Sequence, residues 1–465
     1  MGAAAVSVRF AVPAGLLWIL NACTAVTPRS TDSANVIVPA TWSVTTSQGT
    51  AGDTSLASWW LRFHDALLAG LVADALRANT TVNDAEASLR LSQALRDAAT
   101  AALFPTMDAS GRTDTKTYQV GLQASWGVDI FGAQRSARRA ADASTRASEM
   151  TLGDARVSVA AEVALSYILL RTTQARQAIA NSNLATQQDT LQITLWRQQA
   201  GLVTALESQQ ARAAAEQTAS LLPALQTAID QAIHSLAVLT GRPPAALIEL
   251  LVDPSPVPLP DEHLVLSLPA QTLRQRADVR AAEFQIAASQ ARVSQAKAAR
   301  WPSFSISGTF GVSAQTPGAL ADSSPAGTVL ATVIQPLFNA GGLRAQVVAQ
   351  QAALEKSQIA YRAAVLLALR DVEDALAALR GDGLRLARLI EAADAADIAA
   401  MLARDRYSTG LADFQTVLET QRTQLGTQDG VAGARADVSS DYVRLYQSLG
   451  GGWESNTSGT EASTP

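Results

Sequence analysis

The segment from Tyr118 to Ser144 changes its hydrophobic period near its centre. Between Val120 and Ile130, apolar residues occupy every even position, and polar residues or glycine occupy every odd position. Because side chains alternate between the two faces of a strand, this pattern predicts a β-strand with one apolar and one polar face. After Gly132 the alternation stops, and a sequence rich in Ala, Arg and Gln predicts a helix. The pattern therefore predicts a two-faced strand that continues directly into a helix.

The predicted helix is very long. The segment from Ala133 to Gln199 contains no proline and a single glycine, Gly153. At about 1.5 Å per residue it would extend on the order of 100 Å, well beyond the helices of an ordinary globular domain. Gly201 then predicts a turn, and the returning helix is predicted from about Thr204 to Leu239, with a bend at Pro223.

The second half of the chain repeats this order of elements. A predicted helix from Leu273 to Arg300 is followed by a strand, SFSISGTFGVS, a turn rich in Gly, Pro and Ser, a second strand, TVLATVIQPLF, and another long helix. Three pairs of landmarks recur at an offset of roughly 200 residues, and they are Phe131 and Phe338, Gly201 and Gly410, and Gly241 and Gly450. We therefore predict a tandem duplication, with repeats over residues 56–241 and 269–453 and a linker over 242–268.

Each predicted repeat contains strands, over residues 106–131 and 303–338, ahead of long helices over 133–240 and 341–449. The second long helix has an apolar seam with four-three spacing, which is typical of helices that pack side by side. The seam residues are Tyr361, Val365, Ala368, Val372, Ala375 and Leu379. The strands carry apolar residues on one face and Ser, Thr, Gln and Gly on the other, a pattern typical of a transmembrane β-barrel.

Four strands cannot close a membrane barrel, because the smallest known barrel has about eight. Two chains would give a barrel that is filled by its own side chains, whereas three chains would give a lumen. We therefore predict a mixed α and β membrane protein whose barrel is built from several chains. A soluble β-sandwich would show the same alternation, but it would need further strands to cover the apolar face.

The N-terminal sequence predicts secretion. The apolar run from Phe10 to Leu20 is shorter than the roughly 20 residues that a spanning helix needs. Residues 1–22 are therefore predicted to be a removable signal peptide. The sequence LNAC, which ends at Cys23, resembles a bacterial lipoprotein cleavage box, in which the cysteine becomes the acylated N-terminus. An ordinary signal peptide with a stray cysteine is the alternative.

The residues at the two ends of the chain have no helical or strand period. Thr24 stands where inner-membrane lipoproteins carry Asp, so by analogy the outer membrane is the expected location. Residues 23–55 are predicted to be an extended tether between the lipid and the folded body, because Ser, Thr, Val and Pro dominate them. Residues 454–465 are predicted to be a disordered tail.

Composition and motifs exclude several classes of function. The net charge is -5, and no basic stripe indicates nucleic-acid binding. Neither a G-x-x-x-x-G-K loop nor an H-E-x-x-H motif is present, and His64, His234 and His263 are scattered. We therefore expect neither an enzyme nor a metal site. The covalent lipid at Cys23 is the one non-protein group that we expect.

Five motifs follow one another along nearly the whole mature chain. They are the segment from Trp59 to Pro105, WGVDIFG, RADVRAAE at Arg276–Glu283, RYSTGLADFQTVLETQR at Arg406–Arg422, and LYQSLGGGW at Leu445–Trp453. In this order they resemble the TolC-like outer-membrane efflux lipoproteins of the NodT/OprM-like branch, the outer components of tripartite RND-type drug pumps. The resemblance implies a homotrimeric channel-tunnel with a 12-stranded β-barrel, an α-helical barrel in the periplasm and a lipid anchor at Cys23. It also implies two partners, a periplasmic adaptor protein and an inner-membrane RND-type pump.

By the same resemblance, function is expected at the two helix turns farthest from the membrane. The residues implied to meet the adaptor are Arg197, Gly201, Leu202, Gly410 and Leu411. The residues implied to gate the tunnel are Arg406, Tyr407 and Glu419. The alternative is that these are ordinary turns that need glycine at positive φ, with Glu419 on a solvated face.

The chain departs from the family pattern at two places. Ala277 stands where the family usually has Pro, and the first strand turn, from Arg112 to Thr117, is shorter than usual.

The leading functional hypothesis is a passive outer-membrane channel that exports small amphipathic compounds. A protein-secretion duct is the alternative within the same class. A periplasmic coiled-coil scaffold without a pore is the alternative from another class, but it would not need two-faced strands.

Overall fold

A computed structural model describes residues 38–43, 56–260 and 269–453. The signal peptide, Cys23, nearly all of the predicted tether and the predicted tail lie outside the described residues. The helices are α1 (Ala66–Ala78), α2 (Thr80–Ala101), α3 (Ala133–Gln199), α4 (Ala205–Ala219), α5 (Leu221–Leu239), α6 (Ile248–Leu251), α7 (Pro269–Gln275), α8 (Ala277–Ala298), α9 (Gly342–Ser408) and α10 (Phe414–Ser448). The strands are β1 (Thr106–Thr113), β2 (Tyr118–Val128), β3 (Ser303–Ala314) and β4 (Ala326–Ile334).

The duplication is visible in the two longest helices. Helices α3 and α9 each contain 67 residues, and each begins after a glycine in the left-handed region, Gly132 at φ 78° and Gly341 at φ 84°. A left-handed residue changes the direction of the backbone without the steric cost that a side chain would add. The two strand-to-helix junctions therefore use the same backbone device.

The returning helices of the two repeats differ. Helix α10 runs unbroken over 35 residues, whereas its counterpart is divided at Ser220 into α4 and α5. Pro223 lies in the first turn of α5, where its missing N–H would otherwise bond to the carbonyl of Ala219. The sequence predicted one helix bent at this proline, whereas the structure divides it into two helices.

The four strands form one antiparallel sheet in the order β1-β2-β3-β4. Gly121 of β2 is paired with Gly311 of β3, and a Cβ atom built on Gly311 would lie 2.5 Å from the carbonyl oxygen of Val120. The two strands can approach this closely only because neither position has a side chain.

The predicted separation of apolar and polar faces holds for β2 and β3 but is incomplete for β4. Leu122 is opposite Phe310 and Trp126 is opposite Ile306, so apolar residues share one face. In β4, however, Leu330 is opposite Ser307 and Ile334 is opposite Ser303, which places two large apolar side chains on the polar face. The expectation of a uniformly polar face was therefore wrong for β4.

The main core joins the beginning of the first repeat to the end of the second. Trp59 is fully buried and stacks on Tyr446 of α10, with ring centroids 5.4 Å apart. The Tyr167 hydroxyl of α3 donates to Asp65 Oδ2 at 2.7 Å, and Asp65 also caps α1 by accepting from two backbone N–H groups. Because this core draws residues from both repeats, the halves are packed as one body.

Two features of the helical region bear on the sequence predictions. Four seam residues of α9 are buried, and Tyr361 and Leu379 at its ends pack as half-buried neighbours of the same clusters. The predicted linker begins with a 3-10 helix, Pro244–Leu247, which is followed by α6. Leu247 of the 3-10 helix and Leu251 of α6 are fully buried. Sequence analysis did not predict these two helices. Among the described residues, no helix is both long and apolar enough to cross a membrane.

The helix-ending glycines allow a matched test of the fold. Gly201 and Gly241 have nearly equal φ values, 73° and 70°, but a Cβ atom at Gly241 would lie 2.6 Å from the carbonyl oxygen of Ala78, whereas at Gly201 it would meet nothing within 4 Å. We expect Gly201→Ala to cost about 1 kcal/mol of stability from backbone strain. Gly241→Ala should cost about 3 kcal/mol, because overpacking adds to that strain. Thermal unfolding followed by circular dichroism would measure both, and equal midpoints for the two variants would contradict the assigned contact.

Candidate functional site

The turn between α3 and α4 and the turn between α9 and α10 have the same hydrogen bonds. In the first, Gly201 N–H donates to the Gln198 carbonyl at 3.0 Å and Leu202 N–H donates to the Arg197 carbonyl at 2.8 Å. In the second, the N–H groups of the glycine and leucine at positions 410 and 411 donate in the same way, at 3.0 and 2.7 Å. This pair of bonds is the Schellman motif that ends helices, and both glycines have positive φ.

The leucine of each turn points to solvent. Leu202 is 69% exposed and Leu411 is 80% exposed. An apolar side chain gains nothing from exposure to water, and the turn itself needs only the glycine. The two turns therefore present a pair of apolar contacts that the fold of the single chain does not use.

Tyr407, predicted as a gate residue, is buried where the two helical hairpins meet. Its ring packs edge-on against Phe414 of α10, with centroids 5.8 Å apart, and it is 1% exposed. Ala211 of α4 belongs to the same cluster, together with Ala403, Val417 and Leu418. Tyr407 therefore links the first helical hairpin, α3 with α4, to the second, α9 with α10.

Arg197, predicted to belong to an adaptor-docking turn, packs against Tyr407. Its guanidinium carbon lies 4.4 Å from the centroid of the Tyr407 ring, within the range of a cation–π contact. The same guanidinium donates a hydrogen bond to the carbonyl oxygen of Tyr407. Arg197 thus fixes the end of α9 against the end of α3.

The Tyr407 hydroxyl completes this contact through two residues that sequence analysis missed. It lies 3.2 Å from Oγ1 of Thr194 and 3.4 Å from Oε2 of Glu207. Burial raises the pKa of Tyr407, and the charge of Glu207 adds to the shift, so the hydroxyl stays protonated and able to donate. Thr194 lies one turn before Arg197 on the same helix face, a spacing that offered a weak signal.

We call these four residues, Arg197, Tyr407, Thr194 and Glu207, the tip latch. Polar contacts between α3 and α10 extend away from it. Gln421 Nε2 donates to Thr190 Oγ1 at 2.9 Å, and both residues are buried. Farther along, Asn183 Nδ2 donates to Gln428 Oε1 at 2.7 Å. Beyond these uncharged hydrogen bonds, Arg176 of α3 forms an ion pair with Asp429 of α10, with Nη2 2.9 Å from Oδ2, so the two helices are joined by several polar links along their length.

The other two predicted gate residues lie apart from the tip latch. Arg406 and Glu419 are both exposed, and within the described part of the chain neither side chain forms a hydrogen bond or ion pair. Their backbone carbonyls accept from Leu411 N–H and Thr423 Oγ1, respectively. In the single chain these two charges are therefore free to face a solvent-filled space.

The described residues offer no arrangement for metal chemistry. Among residues 38–43, 56–260 and 269–453, no group of three or more His, Cys, Asp or Glu side chains is placed to hold a metal ion. The site consists instead of two exposed turns, a buried latch between hairpins, and unpaired charges beside it. Together with the two-faced sheet, it defines the subunit of a channel-tunnel, in which sheet and helices form one wall.

Comparison with known proteins gives the same class. The family model for outer membrane efflux proteins matches residues 71–242 and 268–451. The chain therefore belongs to the outer membrane efflux protein family, and the predicted family and fold class are confirmed. This family consists of outer-membrane channel proteins and is not a family of enzymes.

Individual relatives cover nearly the whole chain. The chain is 31% identical to the pyoverdine export outer membrane protein OpmQ of Pseudomonas aeruginosa, over 95% of this chain and 96% of OpmQ. It is 27% identical to nodulation protein T of Rhizobium leguminosarum bv. trifolii, over 86% of this chain and 89% of that protein. The solved structure of the outer-membrane channel OprN matches with a TM-score of 0.81 and 31% identity, over 90% of this chain and 98% of OprN.

Arg197 and Arg406 occupy equivalent positions in the two turns and give a matched pair of variants. Arg197→Ala removes a cation–π contact and a hydrogen bond to a backbone carbonyl, so the latch should weaken by about 1.4 kcal/mol. Amide hydrogen exchange over residues 403–411 should then accelerate roughly tenfold. Arg406→Ala should change it less than about twofold, because its side chain has no partner in the described chain. Equal acceleration in both variants would show that Arg197 does not hold the latch.

Proposed function

We propose that this protein is a passive outer-membrane export channel of a tripartite efflux system. The observation that carries the proposal is the continuation of a two-faced sheet into two helices of 67 residues each, through short junctions that end at Gly132 and Gly341. A wall of this kind crosses lipid as a sheet and continues through an aqueous compartment as helices. The membership of the chain in the outer membrane efflux family supports the same function.

The channel is a homotrimer. Strands β1 and β4 pair on one side only within the described chain, so the sheet has two open edges. In a bilayer each unpaired backbone group costs several kcal/mol, so these edges must pair with other copies of the chain. Three copies give a 12-stranded barrel that is wide enough to leave a lumen. The exposed apolar face, with Val120, Leu122 and Phe310, then meets lipid.

Small amphipathic compounds fit the lumen. Its wall carries the polar face of the sheet, including Gln119, Gln123 and Ser307, with Leu330 and Ile334 of β4 among them. Most side chains of this wall can form hydrogen bonds, and a few are apolar. Such a wall can contact both the polar and the apolar part of an amphipathic molecule without binding it tightly. OpmQ, a relative, is named for the export of pyoverdine.

Energy and specificity come from partners. A periplasmic adaptor docks at the two turns through Leu202 and Leu411, with Gly201 and Gly410 setting the backbone, and an inner-membrane RND-type pump supplies the driving force. Exposed apolar side chains at a helix turn are suited to the centre of a protein interface. A covalent lipid at Cys23 anchors the protein in the outer membrane, as the cleavage-box sequence suggests.

The tip latch keeps the periplasmic end narrow until the adaptor binds. Separating the two hairpins exposes the Tyr407 ring and breaks its contacts with Arg197, Thr194 and Glu207. Those contacts are individually weak, so binding energy from an adaptor is sufficient to open them. Glu419 is exposed and lies close to Tyr407 in the sequence. Three copies of it around the axis of the trimer attract cations.

The trimer and its charge selectivity can be tested together. The purified protein should have the mass of a trimer in detergent and should form cation-selective channels of small conductance in planar bilayers. Glu419→Ala should lower the cation-to-anion permeability ratio by about twofold or more, because a ring of three charges is lost. Glu249→Ala removes a carboxylate on α6 that is also exposed, and it should leave the ratio unchanged. A monomer that forms no channel would support a scaffold instead.

Docking at the turns gives a second test, in cells of the source organism. Replacing Leu202 and Leu411 together by Asp should reduce export of an amphipathic dye by about tenfold, because apolar anchors at an interface centre carry most of its energy. Trimer mass and conductance of the purified variant should stay unchanged. Leu384→Asp on α9 introduces the same charge at a leucine that is 66% exposed, away from both turns, and should export normally. Normal export by the double variant would exclude these leucines from the adaptor interface.

A further inference from the structure

A cavity of about 460 Å³ lies between α3, α8, α9 and α10, near the C-terminal end of α10 and away from the tip latch. Its lining carries five aspartates and two arginines: Asp154, Asp278, Asp371, Asp374, Asp441, Arg276 and Arg444. The export function described above makes no use of this cavity. The excess of carboxylates over guanidinium groups raises the question of what balances their charge.

Asp441 of α10 is the buried member of this group. Its side chain is 1% exposed, and its Oδ1 accepts a hydrogen bond from Arg444 Nη1 at 3.0 Å. Its Oδ2 is buried and has no hydrogen-bond partner within the described part of the chain. An ionised carboxylate with one buried, unpaired oxygen is unfavourable, so Asp441 needs another source of neutralisation.

Two of the nearby arginines are paired with other carboxylates, and the third is exposed. Arg276 pairs with Asp278 at 2.8 Å and Asp371 at 3.5 Å, and it also donates to the Ser448 carbonyl. Arg385 of α9 divides its charge between Asp382 at 3.5 Å and Asp437 at 2.9 Å. Arg444 bonds to Asp441 but is 58% exposed, so water screens much of its charge.

The charged groups of the packed helices around Asp441 are mainly acidic. Asp154 of α3, Asp278 of α8, and Asp371 and Asp374 of α9 line the cavity with it. Arg385 of α9 bonds to Asp437, which lies one turn before Asp441 on α10, and to Asp382, which lies one turn before Arg385, so Asp382 is the carboxylate that α9 places next to Asp441. Burial, followed by the negative charge of Asp382, raises the pKa of Asp441 to about 6, although Arg444 opposes the shift. Two ionised carboxylates cannot donate to each other, whereas one proton between them makes a hydrogen bond.

We propose that Asp441 and Asp382 share a proton across the interface of α10 and α9, and that loss of this proton loosens the contact between the two helices. The proton comes from and returns to the solvent, and no other group changes. The proposal does not depend on export, because it concerns a contact within one chain.

The direction of the pH dependence follows from the raised pKa. Between the unfolded value of about 3.8 and the folded value of about 6, the native protein binds more protons at Asp441 than the unfolded chain does. The stabilisation is therefore complete at low pH and is lost as the pH rises through about 6. Above that pH, two negative charges face each other across the helices.

Purified full-length protein in detergent, without adaptor or pump, tests the proposal at about pH 5 and about pH 8. In the wild type, amide exchange over residues 377–386 and 437–446, corrected for the intrinsic chemical rate, should be several-fold faster at the higher pH. Asp382→Asn should abolish most of this difference, because its amide donates to ionised Asp441 at both pH values. It should also raise the unfolding midpoint at about pH 8 by about 2 °C.

Asp374→Asn is the matched control. It removes a carboxylate from the same helix as Asp382 and from the lining of the cavity, but Asp374 is 74% exposed. It should leave the pH dependence of exchange unchanged. A wild type with no pH-dependent exchange in these segments would overturn the proposal without any variant. An Asp374→Asn variant as effective as Asp382→Asn would overturn it as well, because the effect would then belong to the total charge of the cavity.

Discussion

The structure depends on one constraint, the need of every backbone N–H and C=O group in a sheet to find a partner when water is absent. Four strands satisfy this need internally but leave the outer edges of β1 and β4 open. The apolar face of β2 and β3 exposes Leu122 and Phe310, so it is suited to lipid rather than water. In lipid, water cannot satisfy the open edges. Assembly with further copies is therefore part of the fold, and the single chain is only one sector of its wall.

The helical region follows a different rule from the sheet. Helices α3 and α9 bury mainly small residues, which let neighbouring backbones approach, and the buried aromatic side chains are concentrated at two places. Trp59 and Tyr446 join the repeats in the main core, and Tyr407 joins the hairpins at the turns. The first contact belongs to a large hydrophobic cluster, whereas the second belongs to a smaller one and adds polar bonds. The hairpin ends are consequently the part of the helical region that separates at the lowest cost.

Local signals in the sequence predicted most of the backbone. The change of period at Gly132, the seam around Val365 and Ala368, and the proline at 223 each act through residues a few positions apart, so they could be read directly. Leu330 of β4 lies on the polar face, which breaks the alternation of apolar and polar residues, and sequence analysis missed it. Contacts such as Thr194 with Tyr407, or Arg385 with Asp437, join residues from different elements, and only packing determines which side chains meet.

The tip latch is formed once in each chain because the two repeats of the duplication carry different side chains at equivalent positions of their turns. Counted from Gly201 and Gly410, the position of Tyr407 corresponds to Gln198 in the first repeat, and that of Thr194 corresponds to Ala403 in the second. Both turns kept the same backbone hydrogen bonds, because glycine and the helix end dictate them. The side chains diverged, so Arg197 reaches across to the second hairpin while Arg406, its counterpart, remains in solvent. Shared turns can present similar surfaces to a partner, and the asymmetry between the repeats concentrates the closing contact at one point.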